Sequence, residues 1–232
     1  MSELRLTAAR PTATLVLLPG FMSSAVSYRA LVSPVVDDGI SVLVAQLYPR
    51  GISALTGRHT VEDEARDAAE LVRREAQDGI RVVLAGHSRG GQAAWRAANL
   101  LATEGVPAAL VLVDPVDGAG REPSTPTATR EPARFACPTL VIGAGVGGRC
   151  APEPVNHRRF AAATPHARHV VVRELGHADM LDGRARSFGR RLCGGAAHPD
   201  EGRALVTALL RAAALDDMDA TIAASSGLDV LR

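Results

Sequence analysis

Ser88 stands between glycines in Gly86-His87-Ser88-Arg89-Gly90-Gly91, directly after the apolar run Arg81-Val82-Val83-Leu84-Ala85. A serine hydroxyl is a weak nucleophile until a sharp strand-to-helix turn presents it to a histidine and to backbone N–H donors. Gly86 and Gly90 suit that turn, because residues without a Cβ let strand and helix approach closely. The pattern predicts nucleophilic acyl chemistry at Ser88; the competing assignment is an ordinary N-cap serine at the start of a helix.

Such a serine needs a base, a group that orients the base, and oxyanion donors, all at the ends of strands. Among seven histidines, His177 in Leu175-Gly176-His177-Ala178-Asp179 follows the last apolar run and has the expected chain order. His87 neighbours the serine and is expected to point elsewhere. For the orienting acid, Asp114 at the exit of Leu112-Val113-Asp114-Pro115-Val116-Asp117 is the first choice, with Asp117 and Glu153 as alternatives. The backbone N–H groups of Phe21, in Pro19-Gly20-Phe21-Met22, and of Arg89 are the expected oxyanion donors. Met22, Tyr48, Met180 and Leu181, together with Phe21, are candidates to line an apolar substrate pocket.

The composition removes several other chemistries. All 26 basic residues are arginine, so Schiff-base, pyridoxal-linked and P-loop lysines are excluded by inventory. A net charge of +1 argues against a nucleic-acid partner. Arg184 to Arg191 reads as a solvated helix face. Cys137, Cys150 and Cys193 fit no zinc spacing, cannot all pair with one another, and are read as reduced. No metal or cofactor is called for. With no long apolar segment at the start of the chain and no stretch able to span a bilayer, a soluble cytoplasmic protein is expected.

The elements that must position these residues are legible as an alternation. Apolar, β-branched runs at Ala13 to Leu18, Ile40 to Gln46, Ile80 to Ala85, Ala108 to Asp114, Thr139 to Ile142 and His169 to Glu174 read as buried parallel strands. Helical spacing fills Val61 to Gln77 and Gln92 to Thr103, with shorter candidates at Ser27 to Val36, Val155 to Ala163 and Gly202 to Ala213. Thr60 with Asp63 forms a capping pattern, and Asp78-Gly79 a stop. With 232 residues, 47% of them apolar, a single α/β domain over 1–232 is expected, a mostly parallel sheet with helices on both faces and little or no cap. Residues 118–134 read as an irregular excursion or small lid, and 216–232 as a loosely held tail.

One motif competes. Gly143-Ala144-Gly145-Val146-Gly147-Gly148 satisfies the dinucleotide fingerprint G-x-G-x-x-G, but Pro152 and Pro154 follow where its helix should start.

Taken together, Pro19-Gly20-Phe21, Ala45-Gln46-Leu47-Tyr48, the Ser88 hexapeptide, Asp114-Pro115-Val116-Asp117-Gly118, Cys150-Ala151-Pro152 with Asn156-His157, and Gly176 to Asp182 give a chain that resembles the chlorophyllase family of α/β-hydrolases. It departs from the family at Pro19, where a histidine is usual. The resemblance implies hydrolysis of a carboxylic ester of a bulky apolar substrate by a Ser88, Asp114, His177 triad. Two rivals stay open: a thioesterase or acyl-transferring cyclase acting on a biosynthetic thioester, and a non-hydrolytic ligand-binding or isomerising member of the fold.

Overall fold

The computed structural model describes residues 3–37, 39–47, 60–118 and 127–232. The strands are β1 (Glu3–Leu6), β2 (Ala13–Leu18), β3 (Ile40–Ala45), β4 (Arg81–His87), β5 (Ala109–Val113), β6 (Thr139–Val146), β7 (Arg168–Gly176) and β8 (Leu228–Val230). They form one sheet in the order β1-β3-β2-β4-β5-β6-β7-β8. The six central strands are parallel, and only the edge strands β1 and β8 pair antiparallel.

The near-continuous apolar character of β2, β3 and β5 has a direct cause, since every residue in them is buried and both faces of the sheet are covered. Side chains alternate between the faces with a period of two. Leu15, Leu17, Val42, Val44, Val83, Ala85, Val111 and Val113 point to one face, where α1 (Arg29–Val32) and α6 (Pro199–Leu215) pack. Val16, Leu18, Leu43, Val82, Leu84, Leu110 and Leu112 point to the other, against α2 (Val61–Glu75), α3 (Arg89–Leu100) and Phe160 of α4 (His157–Ala163).

α2 begins in the capping arrangement its sequence predicts: Thr60 accepts from the Asp63 N–H, and the Asp63 carboxylate accepts from the Thr60 N–H. Glu62, Asp63 and Glu64 at its start and Arg73 and Arg74 at its end complement the helix dipole.

Three expectations change. The stretch Ser27 to Val36 is a short α-turn between two 3₁₀ turns, Ala25–Tyr28 and Ser33–Val35, with Pro34 inside the second. The end of the chain is held: α7 (Met218–Ala224) follows α6, and β8 adds to β7 with Leu228 opposite Val172. Cys150 and Cys193 are joined in a disulfide, leaving Cys137 as the free thiol. Two thiols 43 residues apart meet because the last residue of α5 (Gly183–Cys193) reaches the loop after β6, a proximity no local spacing encodes. The expectation of a reducing compartment loses its support from the cysteines.

The Gly143 to Gly148 run lies in β6 and the turn beyond it, and the short 3₁₀ turn Glu153–Val155 and then the two-turn helix α4 follow. The start of α4 beside it is filled rather than open: Asn156 caps the Arg158 N–H, and the His157 ring lies within 2.4 Å of where a Cβ on Gly143 would stand, in the place a pyrophosphate would need.

Candidate active site

Ser88 joins β4 to α3 at φ 55° and ψ −121°, a conformation that costs energy and persists only where its surroundings enforce it. The enforcement is visible. The Ser88 N–H donates to the Val113 carbonyl at 3.1 Å, and the Ser88 carbonyl accepts from Gly91 at 3.0 Å and Val116 at 3.2 Å. A Cβ on Gly86 would collide with the Gly90 carbonyl, and one on Gly90 with the carbonyl of Leu18. The Ser88 side chain caps no backbone N–H of α3, so the N-cap assignment does not describe it.

Its hydroxyl instead lies 3.0 Å from His177 Nε2, and His177 Nδ1 lies 2.7 Å from Asp114 Oδ2. All three residues are buried. β4, β5 and the turn after β7 thus deliver one residue each to the same end of the sheet. Asp114 takes a positive φ of 40°, which an aspartate tolerates better than most residues. Its Oδ1 accepts from the Ala144 N–H at 3.1 Å. Burial alone would raise its pKa. The hydrogen bond and charge interaction with His177, with help from Ala144, outweigh that and hold it below the ordinary carboxylate value.

The alternative acids sit elsewhere. Asp117 is buried, but its oxygens accept from the N–H groups of Thr127, Ala128 and Thr129 and from the Gln92 amide, anchoring the far end of the excursion. Glu153 is exposed on its 3₁₀ turn.

Phe21 and Met22 lie on the exposed loop after β2, and Gly20 before them packs on Ser88, where an added Cβ would stand 3.2 Å from the serine Cβ. Arg89 is the first residue of α3, and its guanidinium donates to buried Glu64 at 3.0 Å. Burial raises the Glu64 carboxyl to about 7 despite that partner. Met180 and Leu181 belong to the apolar cluster shared by α1 and α6, so they are core side chains rather than an open pocket wall. Tyr48 lies outside the described residues, as do 119–126 of the excursion. Among the described residues, no group of three or more His, Cys, Asp or Glu side chains is placed to share a metal ion.

One pair of residues escaped the sequence reading. His87 does not point away from the site. It is buried with its ring centroid 4.8 Å from that of His177, and its Nε2 is 3.0 Å from the His177 carbonyl. Its Nδ1 is 2.6 Å from the Tyr28 hydroxyl, which accepts the Gly20 N–H at 2.9 Å. The signal was present in the strand alternation, since 83, 85 and 87 share the face on which Tyr28 is buried.

A parallel sheet in this order, flanked on both faces by helices and carrying a serine at a strained strand-to-helix turn, defines an α/β-hydrolase fold. Solved structures agree on the fold. A ferulic acid esterase from Streptomyces cinnamoneus superposes with a TM-score of 0.64 at 18% identity, over 97% of this chain and 75% of that one. A type II thioesterase from the yersiniabactin biosynthetic pathway matches with a TM-score of 0.54 at 17% identity, over 82% of this chain and 95% of that one.

The chain belongs to the chlorophyllase family, whose model matches residues 11–219. Chlorophyllase-2 of Arabidopsis thaliana is 31% identical over 200 residues, covering 72% of this chain and 59% of that protein. Chlorophyllase-1 of Citrus unshiu, a chloroplastic protein, is 31% identical over 186 residues, 71% of this chain and 54% of its own length. The chain therefore spans little more than half the length of these relatives.

Proposed function

We propose that this chain is a serine hydrolase that cleaves the carboxylic ester of a bulky apolar substrate through an acyl-enzyme. The observation that carries the reading is the unbroken hydrogen-bonded line from Ser88 Oγ through His177 to Asp114 at the C-terminal ends of the strands. Ser88 Oγ attacks the acyl carbon as its proton passes to His177 Nε2, and Asp114 fixes the Nδ1–H tautomer and stabilises the imidazolium. The carbonyl oxygen gains negative charge, which the backbone N–H groups of Phe21 and Arg89 receive, the latter at the start of α3 where the helix dipole favours an anion. Collapse breaks the ester bond, and His177 gives the proton to the leaving alcohol. Water then repeats the sequence on the acyl-serine and releases the acid.

Family membership supports the apolar ester over a small polar one, because the relatives named above are chlorophyllases. Labelling with a fluorophosphonate tests the nucleophile. A single phosphonyl adduct on Ser88, located by mass spectrometry and abolished by Ser88→Ala, is the expected result. No adduct, under conditions that label a control serine hydrolase, would sink the reading and favour a binding protein. Parallel turnover of a nitrophenyl ester and an acyl thioester separates the esterase from the thioesterase alternative.

A further inference from the structure

α5 carries its apolar residues on the wrong side for a helix that only packs inward. Its inner face is made of small and ion-paired residues. Gly189 lies so close to Ala178 that an added Cβ would come within 2.6 Å of the alanine methyl, and Arg190 pairs with buried Asp179 at 2.7 Å. The outer stripe is Arg184, Ser187, Phe188, Arg191 and Leu192, all exposed and all on one side by helical spacing. Phe188 is 63% exposed and Leu192 is 51% exposed.

The apolar surface continues past both ends of α5. At its start the Asp182 N–H donates to the Ser27 carbonyl at 2.7 Å, and the turn Ala25–Tyr28 packs on the helix, bringing Val26, 60% exposed. At its end the Cys150–Cys193 bond holds the loop that follows exposed Val146. Met22, 55% exposed, stands on the loop that touches Ser88. Met22, Val146 and α5 all follow or close the C-terminal ends of parallel strands, the end of the sheet that carries Ser88. The helix itself carries four arginines and no acid. Arg29, Arg149, Arg184 and Arg191 are exposed and carry no ion pair among the described residues. Asp179, Asp182 and Asp200 are each taken up by an arginine, while Glu153, Glu174 and Glu201 carry no ion pair among the described residues. No described helix is long and apolar enough to cross a membrane, and a helix with one exposed apolar stripe and arginines beside it suits the surface plane of a bilayer.

We propose that the outer face of α5 and the adjoining rim dock this chain on an anionic lipid bilayer. Phe188 and Leu192 enter the acyl boundary, the unpaired arginines meet the headgroups, and the Ser88 site faces an apolar ester dissolved in the membrane. This deepens the esterase reading by naming where its substrate is held, and it rests on that reading only for the substrate.

Binding is measured without turnover, by flotation of the Ser88→Ala chain with liposomes of pure phosphatidylcholine or of phosphatidylcholine with phosphatidylglycerol. The expected result is flotation with the anionic liposomes and little with the neutral ones. The pair Phe188→Ser with Leu192→Ser, and separately Arg184→Glu with Arg191→Glu, should each weaken the partition about tenfold or more. Leu100→Ser, equally exposed but at the far end of α3, should leave it unchanged. Unchanged melting temperatures separate lost docking from lost folding. Equal flotation of all variants would overturn the proposal, and so would a wild-type dimer that only the Phe188/Leu192 pair dissolves, since α5 would then bind a second copy. Hydrolysis of a water-soluble nitrophenyl ester by the wild-type chain, assayed beside it, judges the esterase reading separately.

Discussion

The ring of His87 donates its Nε2–H to the backbone carbonyl of His177, so the residue before Ser88 holds the loop that carries His177. A carbonyl can only accept, which fixes the proton on Nε2. Burial, reinforced by the charge of His177, pushes the His87 pKa down to about 3, so the ring is neutral and its Nδ1 is a bare acceptor. The Tyr28 hydroxyl therefore donates to Nδ1 while accepting the Gly20 N–H. One buried chain of hydrogen bonds ties the loop of Phe21 to the loop of His177 through Tyr28 and His87.

Removing the middle of that chain tests its role. Tyr28→Phe keeps the ring volume and strands both the Gly20 N–H and His87 Nδ1, each at a cost of about 1–3 kcal/mol. The expected outcome is a lower melting temperature with kcat for a short ester down roughly tenfold and KM little changed, because the loops move relative to the reacting atoms and not the substrate contacts. An unchanged kcat in a folded Tyr28→Phe chain would mean the chain of bonds is structural only.

The depressed His87 pKa also sets a pH dependence. Between about 3 and the unfolded value near 6.5, the unfolded chain holds a proton on this ring that the native chain does not. The His87 contribution to stability is thus fully present above 6.5 and is lost as pH falls, with a slope of up to about 1.4 kcal/mol per pH unit. His169, pushed down to about 4 by burial and by its buried neighbour His157, works in the same direction. Urea unfolding of wild type and His87→Gln from pH 4 to 7 should show the variant with the shallower dependence. Parallel curves would refute the assignment.

Two aspartates three residues apart offer a sharper contrast. Asp114→Asn keeps the shape but favours the wrong His177 tautomer, and kcat should fall by roughly 10³ to 10⁴ with the fold intact. Asp117→Asn disturbs the anchor of residues 127–129 and should lower the melting temperature while sparing most of kcat. If the two variants exchanged these phenotypes, the orienting acid would be Asp117.

These contrasts show what the sequence can carry. Strands buried on both faces are written as unbroken apolar runs, and Thr60 with Asp63 writes a helix start within four residues, so both are legible locally. Asp114 was legible as a strand exit, but nothing local separated it from Asp117, because a carboxylate that meets His177 and one that gathers Thr127 to Thr129 look alike before folding. His87 was misread because adjacency to Ser88 was weighed above the strand alternation that turns it toward Tyr28. The tail after Asp216 lacks a long apolar run since β8 is an edge strand with one buried residue, Leu228.

The pairing of Cys150 with Cys193 was the least legible feature, and it leads to a measurable consequence. Their bond closes a loop of 43 residues that contains β7, the His177 turn and α5. By chain entropy alone, a crosslink of that span removes about 4 kcal/mol of freedom from the unfolded state. Cys150→Ser with Cys193→Ser should therefore unfold at clearly lower urea concentration than wild type, and a thiol reductant should destabilise the wild-type chain without affecting the double variant. Because Asp179 still accepts from Gly176, Ala196 and Arg190, the His177 turn keeps its own polar anchors and basal ester turnover should survive at low temperature. Equal urea midpoints for oxidised, reduced and doubly substituted chains would show that the bond leaves the unfolded ensemble unconstrained.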